Sequence, residues 1–163
     1  MKITKEKLLE LKSILGSTPL MGNSELKLLK LRAPGIYYSN RAYNMDTIKY
    51  TLNHTPLNNF ISEITNWDST YLTSIHKIEY TKGSKVREHV DDSDLTCVIM
   101  LENNSEGGDF LFNKKKIEFK EEGEYLLYNG GKTYHEVTEL ISGNRNVLVI
   151  WYRMDTTNTK SIL

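Results

Sequence analysis

A lone cysteine, Cys97, in 163 residues excludes an intramolecular disulfide framework and any zinc site built mainly from thiolates. It lies inside the apolar run "LTCVIML" and reads as a small buried hydrophobe rather than a nucleophile. A surplus of one charge sign is missing too. The 21 Lys and Arg balance 21 Asp and Glu, which argues against nucleic acid or an anionic membrane surface as partner. No stretch approaches the roughly 20 apolar residues of a membrane span. The N-terminal "MKITKEKLLELKSILG" interleaves charge with leucine, unlike the apolar core of a secretory signal. These absences set the expectation of a reducing, cytoplasmic compartment.

Proline is scarce, with Pro19, Pro34 and Pro56 all in roughly the first third, whereas seven of the ten glycines follow residue 80. That asymmetry predicts helices and loops first, then strands joined by tight turns. Leu8, Leu11 and Leu15 recur at helical spacing, so residues 4–15 read as an amphipathic helix ended by Gly16. Further helices are expected over 44–53, starting near Asn44 or Asp46, and from Pro56 through 66. From residue 70 the texture turns β-branched and aromatic, and strands are expected over 70–80, 95–101, 108–112, 115–119, 124–129, 134–138 and 146–153. Segments this close leave no room for crossover helices, so a sandwich or barrel is expected, with the early helices on one outer face. The length fits one domain, 1–163, with a helical support region over 1–69 and a β core over 70–155.

The chemistry-bearing stretch is "KVREHVDDSD", residues 85–94. A His-x-Asp pair arises easily by chance, and alone it reads as a charged, solvated segment. On a strand, however, residues i and i+2 share a face, so His89 and Asp91 would project together. Two imidazoles and a carboxylate can hold Fe(II) on one face of an octahedron, leaving three positions open. The second histidine must come from another strand. His54 sits at a helix boundary, and His76 is on an earlier strand. His135 heads a β segment after a glycine turn, 46 residues beyond His89. Arg145 follows ten residues later, and a guanidinium at the mouth of a barrel is suited to a bidentate grip on a carboxylate.

The order His89-x-Asp91, Gly107-Gly108 before "DFLF", His135-x-Val137, Gly143-x-Arg145 and Trp151 resembles the Fe(II)/2-oxoglutarate-dependent dioxygenases. Within that superfamily it is most similar to the prolyl 4-hydroxylase-like branch, over residues 80 to 155. The resemblance implies a mainly β fold with N-terminal helices, a double-stranded β-helix of the jelly-roll or cupin type. It implies His89, Asp91 and His135 as Fe(II) ligands and Arg145 as the holder of the distal carboxylate of 2-oxoglutarate. Tyr80 matches a tyrosine that contacts the cosubstrate, whereas Met100 stands where the oxygen-sensing enzymes carry a second one. The activity implied couples O2-dependent oxidative decarboxylation of 2-oxoglutarate to succinate with hydroxylation of a C–H bond, with ascorbate as reductant. The leading substrate is a prolyl residue in a protein or peptide, followed by a free amino acid or other small molecule. Demethylases of bases carry an additional arginine, for which Arg153 is the only candidate. A non-catalytic cupin-like metal-binding module and a zinc hydrolase using the same triad are the competing classes. Lys82, Arg87, Glu88 and Asp92 flank the metal pair, and Tyr37 and Tyr38 are candidates for a substrate groove.

Overall fold

The computed structural model describes residues 1–154; Asp155, the end of the expected β core, lies outside them. Among the described residues four α-helices run over Lys5–Ser17 (α1), Asn23–Arg32 (α2), Pro34–Tyr37 (α3) and Thr55–Thr65 (α4). The strands are β1 (Ala42–Tyr50), β2 (Leu72–His89), β3 (Leu95–Asn103), β4 (Glu106–Gly107) and β5 (Phe110–Phe112). They continue with β6 (Lys115–Lys116), β7 (Tyr125–Tyr128), β8 (His135–Val137), β9 (Leu140–Ser142) and β10 (Arg145–Tyr152). A curled antiparallel sheet, in the order β6-β5-β8-β2-β10-β3-β7 with β1 also paired to β2, forms a half-barrel of the cupin or double-stranded β-helix type. A small β4–β9 ribbon lies beside it.

Strand alternation divides the molecule into two apolar layers. On β3, Cys97, Ile99 and Leu101 face outward to the leucines of α1 and to Leu57, Phe60 and Ile61 of α4. Val98 and Met100 face the hollow of the half-barrel, as do Val147, Val149 and Trp151 on β10. The helices thus cap the convex face, and the concave face is left for a site. Local signals support both helices: the Thr4 side chain accepts from the Lys7 N–H at the start of α1, and left-handed Asn66 ends α4. Burial pushes the Cys97 thiol pKa well up, in keeping with a packing role.

Residues 44–53 are not a helix. Most of them form β1, whose register with β2 pairs Lys49 with His76 and Met45 with Tyr80. Asn44, expected near a helix start, instead takes φ 57° at a bulge and donates to the Lys82 carbonyl. The strand expected over 70–80 runs on to His89, because Gly83 at φ 88° makes an irregularity within β2 rather than ending it. The helices α2 and α3 and the β4–β9 ribbon were not anticipated, and the segment expected over 115–119 contributes only β6.

Candidate metal centre and its cavity

His89 closes β2 and His135 opens β8, and the two are Cα partners across the sheet. Asp91 lies just past β2, where its N–H donates to the Gly130 carbonyl at 2.8 Å. Each ring is oriented from behind: Nδ1–H of His89 donates to the Arg87 carbonyl at 2.6 Å, and that of His135 to the Thr133 carbonyl at 2.7 Å. Both Nε2 atoms are then lone-pair carriers, and each lies 3.2 Å from Asp91 Oδ1. Phe110 stacks on the His135 ring, while the Thr96 hydroxyl donates to Asp91 Oδ2 at 2.7 Å.

One ligand atom from each of the three residues lies within 4.8 Å of the others. Burial works against the ionised Asp91 carboxylate. When the His135 and His89 Nε2 atoms carry protons, their hydrogen bonds, with that of the Thr96 hydroxyl, outweigh it and hold its pKa well below the ordinary range. Two ring lone pairs and an anionic oxygen at this spacing repel unless protons or a cation stand between them. Imidazole and carboxylate donors fit a divalent first-row ion, and the hydrogen bonds behind the rings supply the outer support such a site needs.

Arg145 makes the second half of the site. It is 1% exposed, and its Nε, Nη1 and Nη2 have no hydrogen-bond partner among the described residues. The guanidinium lies 4.7 Å from the centroid of the Tyr80 ring and 5.9 Å from that of Phe119. Burial lowers its pKa despite the neighbouring Tyr80, and burial raises that of Tyr80 against the pull of Arg145. A buried cation with unmet donors is costly, and a carboxylate would meet them. The stem is positioned by Gly108: at φ 64°, a Cβ there would stand 2.5 Å from Leu140 Cδ1 and 3.3 Å from Arg145 Cδ. A cavity of about 220 Å³ is lined both by the triad residues and by Arg145 and Tyr80. One space therefore joins a three-donor metal cluster to an unpaired guanidinium, which suits a dicarboxylate spanning the two.

All five residues singled out from the sequence, His89, Asp91, His135, Arg145 and Tyr80, line this cavity. Met100 is fully buried in the inner apolar cluster. His76 also lines the cavity, whereas His54 sits at the start of α4. Arg153 is tied to Asp92, and Arg87 and Glu88 meet Tyr43 and Lys114. Thr96, Phe110, Gly130 and the cavity-lining Arg41 and Tyr128 were missed. Of these only "NGG" at 129–131 carried a local signal, that of a close backbone approach.

The family model for the 2OG-Fe(II) oxygenase superfamily matches residues 75–153. That stretch is a 2OG-Fe(II) oxygenase superfamily domain. Its fold and His-Asp-His facial triad support catalysis by an Fe(II)/2-oxoglutarate-dependent hydroxylase. Similar solved structures share the fold. A viral collagen prolyl hydroxylase from Paramecium bursaria Chlorella virus-1, in complex with 2OG, is 17% identical, with 80% of this chain and 90% of that one covered at a TM-score of 0.55. A 2OG-Fe(II) oxygenase family oxidoreductase from Burkholderia pseudomallei is 13% identical, with 93% and 80% covered and a TM-score of 0.58. A Pseudomonas putida prolyl-4-hydroxylase is 14% identical, with 90% and 98% covered and a TM-score of 0.53. A search of the curated proteins gives no match. No helix among the described residues is long and apolar enough to cross a membrane.

Proposed function

We propose that the protein hydroxylates a C–H bond of a prolyl residue in a protein or peptide, using Fe(II), O2 and 2-oxoglutarate. The carrying observation is the unpartnered Arg145 guanidinium in the same cavity as the three-donor cluster. His89, Asp91 and His135 would hold the metal, and Arg145 the distal carboxylate of 2-oxoglutarate with Tyr80 beside it. Together Fe(II) and 2-oxoglutarate supply the activation of O2 and a decarboxylation to succinate that leaves one oxygen atom for the substrate. The chain's own contribution is positioning. The Arg87 and Thr133 carbonyls fix both ring tautomers, Thr96 orients the carboxylate, and Val98, Val147 and Val149 wall the cavity against bulk water. The proline class is supported by the likeness in fold to two prolyl hydroxylases.

The test is O2-dependent formation of succinate from 2-oxoglutarate, with proline peptides screened for the mass gain of one oxygen. Asp91→Ala and His135→Ala should each abolish turnover while leaving the circular dichroism spectrum unchanged. Well-folded protein that binds neither Fe(II) nor 2-oxoglutarate under anaerobic conditions would overturn the reading in favour of a non-catalytic module.

A further inference from the structure

Two cations line the cavity from a part of the chain that lies outside the family-matched residues 75–153. These are Arg41, on the loop before β1, and Lys49, on β1. Neither has an anion that the bound site would leave it. Arg41 donates to the carbonyls of Val90 (2.9 Å) and Gly35 (3.4 Å), and its nearest carboxylate is Asp91, with Nη1 3.9 Å from Oδ1. A metal ion on Asp91 would take up that negative charge. Lys49 has no carboxylate within 4.0 Å among the described residues. It shares the Tyr37 ring with Lys30, the two ammonium groups standing 5.1 and 4.8 Å from the centroid. Two cations on one ring, neither with an ion-pair partner among the described residues, are an unbalanced arrangement for a chain of zero net charge.

The neighbouring wall is short of partners as well. The β1–β2 register sets Lys49 beside His76, whose ring stands edge-on to Trp151 at 4.9 Å. His76 Nε2 and Trp151 Nε1 are buried without a hydrogen-bond partner among the described residues. The indole can only donate. An occupant with an acceptor oxygen and a negative charge would meet what this wall lacks.

We infer that Arg41 and Lys49 receive a carboxylate of the substrate, so that the enzyme selects acidic substrates. This rests on the proposed reading of the cavity as the place where substrate meets the metal. Two cations lining one cavity suit a single small anion. A nucleic acid strand would require a track of cations at phosphate spacing, so the carboxylate is favoured. The carboxylate has two sources, an acidic residue flanking the target in a peptide or the carboxyl group of a free amino acid.

Calorimetric titration of the intact protein with Fe(II) and 2-oxoglutarate, under anaerobic conditions, tests this. The probes are acetyl-Glu-Pro-Glu-amide against acetyl-Gln-Pro-Gln-amide, L-proline against L-prolinamide, and a ten-nucleotide oligothymidine. The acid member of one pair should bind about tenfold tighter than its amide. A preference within the peptide pair identifies a peptide substrate, and one within the proline pair a free amino acid. Lys49→Glu should remove or reverse the preference, and Lys49→Met should reduce it. Equal affinity within both pairs, absence of binding by every probe, a preference unaltered in Lys49→Glu, or tighter binding of oligothymidine would each overturn the inference. The hydroxylase reading fails separately. Protein that selects acids and makes no succinate keeps this inference, whereas protein that consumes 2-oxoglutarate with no charge preference loses it alone.

Discussion

Gly130 passes so close to Asp91 that a Cβ on it would stand 2.5 Å from Oδ2, and closer still to Thr96 Oγ1. The close approach is fixed by the Gly130 carbonyl, which accepts from the Asp91 N–H. Gly130→Ala must push the carboxylate off the position it shares with the two histidines. The expected result is a fall in divalent-metal affinity of about tenfold or more, read by calorimetry with Mn(II), with the circular dichroism spectrum retained. Wild-type affinity in this variant would mean that Asp91 is not held where metal binding needs it.

Arg145 gives a prediction of opposite sign for stability and function. Its guanidinium is fully buried beside Tyr80, with no hydrogen-bond partner among the described residues, so without cosubstrate it is a cost to the fold rather than a support. Arg145→Met keeps the stem and removes the charge. The apo variant should melt at or above the wild-type temperature, and 2-oxoglutarate with Mn(II) should no longer raise that temperature beyond what Mn(II) alone does. Substantial destabilisation of the apo variant would show that the guanidinium already has its partner within the protein.

That His89, Asp91, His135 and Arg145 come together at one cavity was legible because their residue types stand in a recognisable order along the chain. The β3 and β10 strands were legible because both their faces are buried, giving near-continuous apolar runs such as "LTCVIML". The strand β1 was not. Its sequence "AYNMDTIKY" is exposed on both faces over most of its length and polar at Asn44, Asp46, Thr47 and Lys49, and pairing with β2 imposes a conformation the local pattern does not signal. The same cause hid Lys49 from view as a cavity residue. Its neighbour His76 follows from register across two strands, which no local reading of either segment contains. Thr96 and Arg41 are tertiary in the same sense, since an ordinary polar side chain becomes part of a site only through what the fold sets beside it.

Folding is expected to be acid-sensitive through His76. Burial, with Lys49 nearby, pushes its pKa down to about 3 from the ordinary 6.5. Between those values the unfolded chain binds a proton that the folded one does not. The stability contribution is therefore complete above pH 6.5 and is lost as pH falls toward 3, on the order of 2 kcal/mol by pH 5. In His76→Phe the loss between pH 7 and 5, measured by urea denaturation, should shrink by about that amount. An identical pH dependence in the two proteins would mean that His76 is protonated in the native state without penalty.

Asp92 sits beside the triad and ties the helical segment to it. Its Oδ1 accepts from Arg153 Nη1 at 2.5 Å and its Oδ2 from the Gly35 N–H at 3.2 Å. Arg153 in turn exchanges hydrogen bonds with Arg32: each guanidinium donates to the other's carbonyl, at 2.9 and 3.0 Å. Burial, and then the charge of Arg153, lowers the Arg32 pKa, and Asp92 is the carboxylate paired with Arg153. The Asp92–Arg153 pair is about a third exposed, and water screens it. Asp92→Ala should still cost about 1–2 kcal/mol, because it leaves Arg153 without its carboxylate and the Gly35 N–H without its acceptor. Adding Arg153→Met should restore part of that loss by removing one of the facing charges. A double variant no more stable than Asp92→Ala alone would show that Asp92 acts through Gly35 and not through the arginine pair.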